Sequence, residues 1–321
     1  MSAYFFDAHV VSALFDKSGA VFALGDGTVR FESGEVIAAH DGAALACVLH
    51  PSGEGVVTGG DDGRLVWSKP AGPTVVAELK GKWINAVDAS RESGLIAFAT
   101  GREVHVRDAA DASFTRHFRH ERTLADLAFD PKGRRLAGAT YGGAMLWYAR
   151  IAEQTPQMLK WAGSHIGVIW SPDGKFLISS MQESALHGWR LSDAKDMRMG
   201  GYPTKVRSLT FLSGGSLMAT SGASGAVIWP FGGSNGPMGK EAAEVGVDDS
   251  ATVVRVAAGP KSLILAAGLN DGRIWSADLK GVGVSKIREV KGAAISALSV
   301  SLDGKRLAWG DEAGAAGLAE L

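Results

Sequence analysis

The sequence has a single cysteine, Cys47, so no intrachain disulfide can form and a secreted disulfide scaffold is excluded. It also lacks an excess of either charge: 33 Lys and Arg face 34 Asp and Glu, a net charge of −1. That balance gives no electrostatic basis for gripping nucleic acid or an anionic membrane. No apolar run approaches the ~18 residues that a membrane helix needs. The first residues, Met1 to His9, carry no basic group ahead of their apolar part, and Asp7 interrupts that part early, unlike a secretory signal. With only ten prolines and 46% apolar residues, the composition is that of a packed chain and not of a disordered one. The expectation is a soluble, cytoplasmic protein that binds neither nucleic acid nor membrane.

Glycine, by contrast, is abundant: 43 residues, about twice ordinary usage. The excess is organised. Ile169-Trp170-Ser171-Pro172-Asp173-Gly174 is the clearest copy of a strand–turn phrase, and Ala128 to Gly133 and Val48 to Gly53 are close relatives. Looser copies end at Gly19, Gly215 and Gly304, and two degenerate ones lie at Asp88 to Gly94 and Ala257 to Ser262. The turn markers fall at 19, 53, 94, 133, 174, 215, 262 and 304, eight copies about 41 residues apart. Apolar residues within copies recur with period two, as in strands, and not at the i, i+3, i+4 spacing of a helix. Four short strands per ~41 residues fit a β-propeller blade. The chain is therefore expected to be one all-β domain over residues 1–321: a propeller of eight four-stranded antiparallel blades, with seven as the alternative. The extended piece Ala3 to Asp7 is expected to close the ring as the outer strand of the last blade, which otherwise ends on its third strand at Leu321. Phe231 to Gly239 reads as a surface insertion.

The second copy joins His40, the strand–turn Ala46 to Pro51, the strand Val56 to Gly60 and Asp61-Asp62-Gly63-Arg64-Leu65-Val66-Trp67. In this it resembles the WD-repeat proteins, and the other copies extend the resemblance across the chain. The resemblance implies a rigid scaffold for protein partners and a buried His–Ser/Thr–Asp–Trp set tying three strands of each blade. His40, Thr58 and Asp62 match it in the second copy, with Ser68 at the tryptophan place; Ser179, Glu183 and Trp189 match it in the fifth, with Trp161 at the histidine place. The fourth has His120 but Gly142 for the acid. Trp67, Trp147 and Trp229 stand off the tryptophan register and are expected to pack between blades, since one residue of offset turns a side chain to the other sheet face.

Catalytic signatures are weak. The glycine-rich turns open no helix, so they lack the geometry of a phosphate cradle. No Gly-x-Ser-x-Gly elbow occurs, and the serine of Ser171-Pro172-Asp173 belongs to a repeated turn. His117 and His120, with His105, are metal-ligating residue types, but residues three apart on a strand face opposite ways. No cofactor and no metal are expected. Cys47 reads as a small buried residue. Arg116, His117, Arg119 and Arg122 form a basic patch suited to an acidic surface. One rim of the ring, at the entries to first strands, should carry Trp83, Arg122, Trp161, His165, Tyr202 and Lys205, residue types that favour binding. The expected function is a non-catalytic, monomeric scaffold presenting that rim to a protein or peptide. The alternative is a propeller enzyme or small-ligand binder working in the central channel.

Overall fold

The computed structural model describes residues 2–281 and 283–321. They form thirty strands and one short 3-10 turn, Ser213–Gly215. The strands are antiparallel and consecutive, and they close into a ring. The first strand of each repeat copy, such as Val10–Phe15, Ala44–Leu49 and Ala86–Ser90, lies innermost and packs beside the first strand of neighbouring copies. The outermost strands, such as Val36–Ala38 and Thr115–Arg119, are largely exposed.

The second strands do not alternate apolar with polar. Ala20–Leu24, Val56–Gly60, Leu95–Thr100 and Phe176–Met181 are buried at every position. Each is sandwiched between blades, so both faces need small or apolar residues. Glycine sets the closeness of that packing. A Cβ on Gly268 would come within 2.6 Å of Ile295, and one on Gly310 within 2.3 Å of Val10, which is the seam between the last blade and the first.

Seven sheets make the ring, not the eight separate blades expected: six have four strands, and residues 124–199 form one six-stranded sheet. The repeat copies are all present; the fourth and fifth are joined. Arg135–Tyr148 is one extended stretch that folds back on itself, with the Ala149 N–H donating to the Arg134 carbonyl at 2.9 Å. Gly142 and Gly143, both at positive φ, form its tip, where side chains with a Cβ would be strained. The tip stays in register with the segment that crosses to the fifth copy, Tyr141 opposite Ser164. The stretch Gln157–Trp170 therefore pairs first with the hairpin and then with Phe176–Met181, and the sheet never breaks.

Closure at the termini follows the expected scheme. Ser2–Phe5 pairs antiparallel with Ala315–Glu320, Ala3 opposite Gly317. Tyr4 and Phe6 turn inward onto Phe22 of the first blade, at 5.6 and 5.5 Å between ring centres, while Phe5 points to solvent. The insertion lies at the surface, with residues 232–235 exposed, and is anchored on the blade at both sides of them. Phe231 is buried against Phe176 and Phe211, and Gly236 sits against the Phe176 ring.

Around the axis, polar side chains of inner strands bond to the next inner strand. Asp88 accepts the Phe129 N–H at 2.6 Å, Asp126 accepts the Val168 N–H at 2.9 Å, and Ser208 accepts the Val256 N–H at 3.0 Å. Burial pushes Asp88 up to about 7 and Asp126 up to about 6, against the pull of those N–H donors. The acids on the channel wall are thus engaged in holding neighbouring blades together. Cys47, on the same inner layer, is half-buried, and its thiol is pushed up to about 12 by burial.

Candidate functional site

The blade-internal network is present in the second copy. His40 is buried, with Nε2 2.8 Å from Thr58 Oγ1 and Nδ1 3.1 Å from Asp62 Oδ1. Asp62 also accepts the Arg64 N–H and guanidinium and the Asp41 N–H. Burial alone would raise its pKa, but these hydrogen bonds outweigh it and hold the carboxyl down at about 2. Burial lowers His40, keeping the imidazole neutral.

In the fifth copy the histidine comes from a different place. His165, expected on the rim, is 1% exposed; its Nδ1 lies 2.7 Å from Ser179 Oγ, and its Nε2 is 3.1 Å from the Trp161 carbonyl oxygen. It supplies the tether that Trp161 cannot, and this burial removes it from any docking face. Trp189 packs against both His165 and His187. Glu183 is not bonded to the histidine; its exposed carboxylate accepts the Ser164 N–H at 3.0 Å.

Tyr202 requires the same correction. It is 8% exposed, its hydroxyl 2.7 Å from Thr220 Oγ1, and it accepts the Trp229 indole N–H at 2.6 Å. The sixth copy thus builds its tether from Tyr, Thr and Trp, and Trp229 is part of it instead of being a spacer between blades. Trp147 does pack between blades, stacked on Phe118 at 5.9 Å. Trp67 stacks on His50 at 3.9 Å and donates to the Glu54 carbonyl. Lys205 is half-buried beside a recess of about 570 Å³ on the channel wall that also includes Asp126 and Arg207.

Three rim residues remain exposed. Trp83 is 67% exposed ahead of the third blade's first strand. Arg122 and Trp161 face one groove of about 670 Å³, formed where the fourth and fifth copies join. Arg122 is held there by donating to the Tyr141 carbonyl at 2.9 Å and by lying over the Tyr141 ring at 4.9 Å. The Trp161 ring is braced on His187, 3.9 Å away. Arg119 and Lys160 bring two more cations, against Glu121 alone, and Met145 and Met158 supply a soft apolar floor. Sequence reasoning did not identify Tyr141, Met145 and Met158, because only the folded hairpin brings them beside Trp161. A cationic groove with exposed aromatic rings can hold a carboxylate-bearing chain that also inserts an apolar side chain.

Residues 32–67 match the family described as WD domain, G-beta repeat. That span includes the His40–Thr58–Asp62 set. No curated protein matches the sequence. Among solved structures, the chain is similar to the computationally designed Ika8 protein, with 18% identity, a TM-score of 0.79 and coverage of 100% of this chain and 98% of that one. It is similar at 15% identity to a chain of the Mitotic Checkpoint Complex, with a TM-score of 0.65 and coverage of 100% and 90%. The β-propeller domain of Cps50 (Swd1) from Myceliophteria thermophila is 14% identical, with a TM-score of 0.67 and coverage of 87% and 97%. At such identities these likenesses speak for the fold. They show a β-propeller fold and, together with the matched repeat at residues 32–67, support a WD-repeat propeller.

Proposed function

We propose that the protein is a non-catalytic interaction scaffold whose groove at Arg119, Arg122, Tyr141, Lys160 and Trp161 takes an acidic, apolar-anchored segment of a protein partner. The observation that carries this reading is the groove's composition. Three cations and two exposed aromatic rings converge on one concavity beside a single acid. Aromatic and arginine side chains are the types that dominate binding hot spots. The rings are pre-positioned, Tyr141 under Arg122 and Trp161 on His187, so little ordering is left for a ligand to drive. The wall behind them is a continuous sheet, which suits a rigid platform.

The test is a binding screen of the intact protein against short peptides that vary acidic content and one apolar anchor. Acidic, anchored peptides should bind, with affinity falling as salt rises. Arg122→Glu with Lys160→Glu should abolish binding without shifting the melting temperature, since both side chains are exposed. Binding of neutral and acidic peptides alike, indifferent to the charge reversal, would sink the proposal.

A further inference from the structure

The third blade carries a second cluster that the groove does not use. Its outer strands Glu103–Asp108 and Thr115–Arg119 place His105 opposite His117. The two-residue period of a strand puts Glu103 on the face that carries His105. The imidazole centres are 4.8 Å apart. The Glu103 carboxylate is 4.0 Å from Nε2 of each ring. One donor atom from each of the three residues lies within 4.8 Å of the others. His105 is stacked on Phe98 at 4.9 Å, and its Nε2 is buried with no hydrogen-bond partner. A buried polar atom left unpaired is costly and calls for a ligand or another explanation.

We propose that Glu103, His105 and His117 bind one divalent transition-metal ion of the zinc class. Two imidazole nitrogens and a carboxylate oxygen suit such a metal far better than calcium or magnesium, which prefer all-oxygen shells. Metal–ligand bonds of ~2.0–2.2 Å require the donors to close in by less than about an ångström each. The His117 side chain is half-exposed, so it has room to turn inward, and water would complete the shell. Burial holds His105 down at about 4, with His117 and Arg107 adding to the effect, so its ring is neutral and its lone pair is available at neutral pH. Hydrogen bonding from Lys82 keeps Glu103 in its anionic form. That ammonium is the resident competitor, bonded to the same carboxylate. It belongs to an exposed ion pair, which is a weak interaction, so an entering cation can displace it. His117 and His120, three apart, face opposite ways and cannot share an ion. The relevant partner of His117 lies across the hairpin, twelve residues back, while His120 instead receives the Arg122 N–H. A bound ion would staple the exposed strand that carries Arg119 to its neighbour.

The test uses the full chain, stripped with a chelator and titrated with Zn²⁺ against a chromophoric competitor, with Co²⁺ as a spectroscopic probe. One equivalent should bind and should raise the melting temperature. His117→Ala, on an exposed side chain, should lower Zn²⁺ affinity by about tenfold or more and remove the Co²⁺ ligand-field bands. Lys82→Met should tighten binding several-fold, and His120→Ala should leave it unchanged. Equal Zn²⁺ affinity in the intact protein and His117→Ala overturns the site, as does weaker binding in Lys82→Met.

Discussion

The second and sixth blades solve one mechanical problem with different residues. In the second, His40 reaches Thr58 and Asp62. In the sixth, Tyr202 reaches Thr220 and receives the Trp229 indole N–H. The threonine is common to both, itself fully buried on the second strand. The third-strand partner differs because the turn lengths differ. Thr58 pairs with Val66, eight residues on, whereas Thr220 pairs with Val227, seven on. The shorter turn moves Trp229 into the place that Ser68 holds in the second blade, opposite Met218 as Ser68 is opposite Val56. What the blade requires is a polar bridge from the entry segment to the second strand, and several side chains can build it.

The comparison can be broken most forcefully at His40. His40→Ala removes a buried ring and two hydrogen bonds and should cost about 2–4 kcal/mol, read as a lower midpoint in urea. Tyr202→Phe keeps the ring and deletes only the bridging hydroxyl, so the loss should be about 1–2 kcal/mol. If the two changes cost the same, ring packing and not the polar bridge holds both blades.

Acid sharpens the contrast. His40 has a folded pKa below its unfolded one, so its contribution is present above about pH 6.5 and is lost as the pH falls below that value. Asp62, held at about 2, loses its contribution only below its unfolded value near 3.8. The sixth blade has no histidine, since none follows His187, and burial pushes Tyr202 up to about 12. Between pH 7 and 4.5, amide exchange along Val56–Gly60 should therefore accelerate relative to Leu217–Thr220. Parallel acceleration in both strands would deny the titratable bridge its role. The smallest effect is expected for Trp229→Phe, about 1 kcal/mol or less, because the half-exposed indole donates one bond.

The repeat, the strand count per copy and the terminal closure were legible in the sequence because glycine turns punctuate it at near-constant intervals. Position along the chain did not reveal side-chain direction. Tyr202 and Trp161 precede first strands at equivalent places, yet one turns into the blade and the other faces the groove. The single-residue change in turn length that recruits Trp229 is invisible without the pairing register. The joined sheet was equally hidden: Gly142-Gly143 reads as another turn, and only its pairing with the crossing segment shows that the sheet runs on. The Glu103–His105–His117 cluster is a cross-strand property, so spacing along one strand could not find it.

The closing strand also bears on how the molecule is made. Ala3 is synthesised before every blade that lies between it and its partner Gly317, 314 residues further along (317 − 3). The strand Ser2–Phe5 must therefore wait, unpaired, until the blades in between have been made. Contacts so distant in sequence are slow to form, so ring closure should be the final folding event, with every earlier intermediate an open arc. It also sets Ser2–Phe5 beside Ala315–Glu320. A short linker joining them, with new ends cut in an exposed turn, should leave a permuted protein that folds to the same ring but seals it at a different seam.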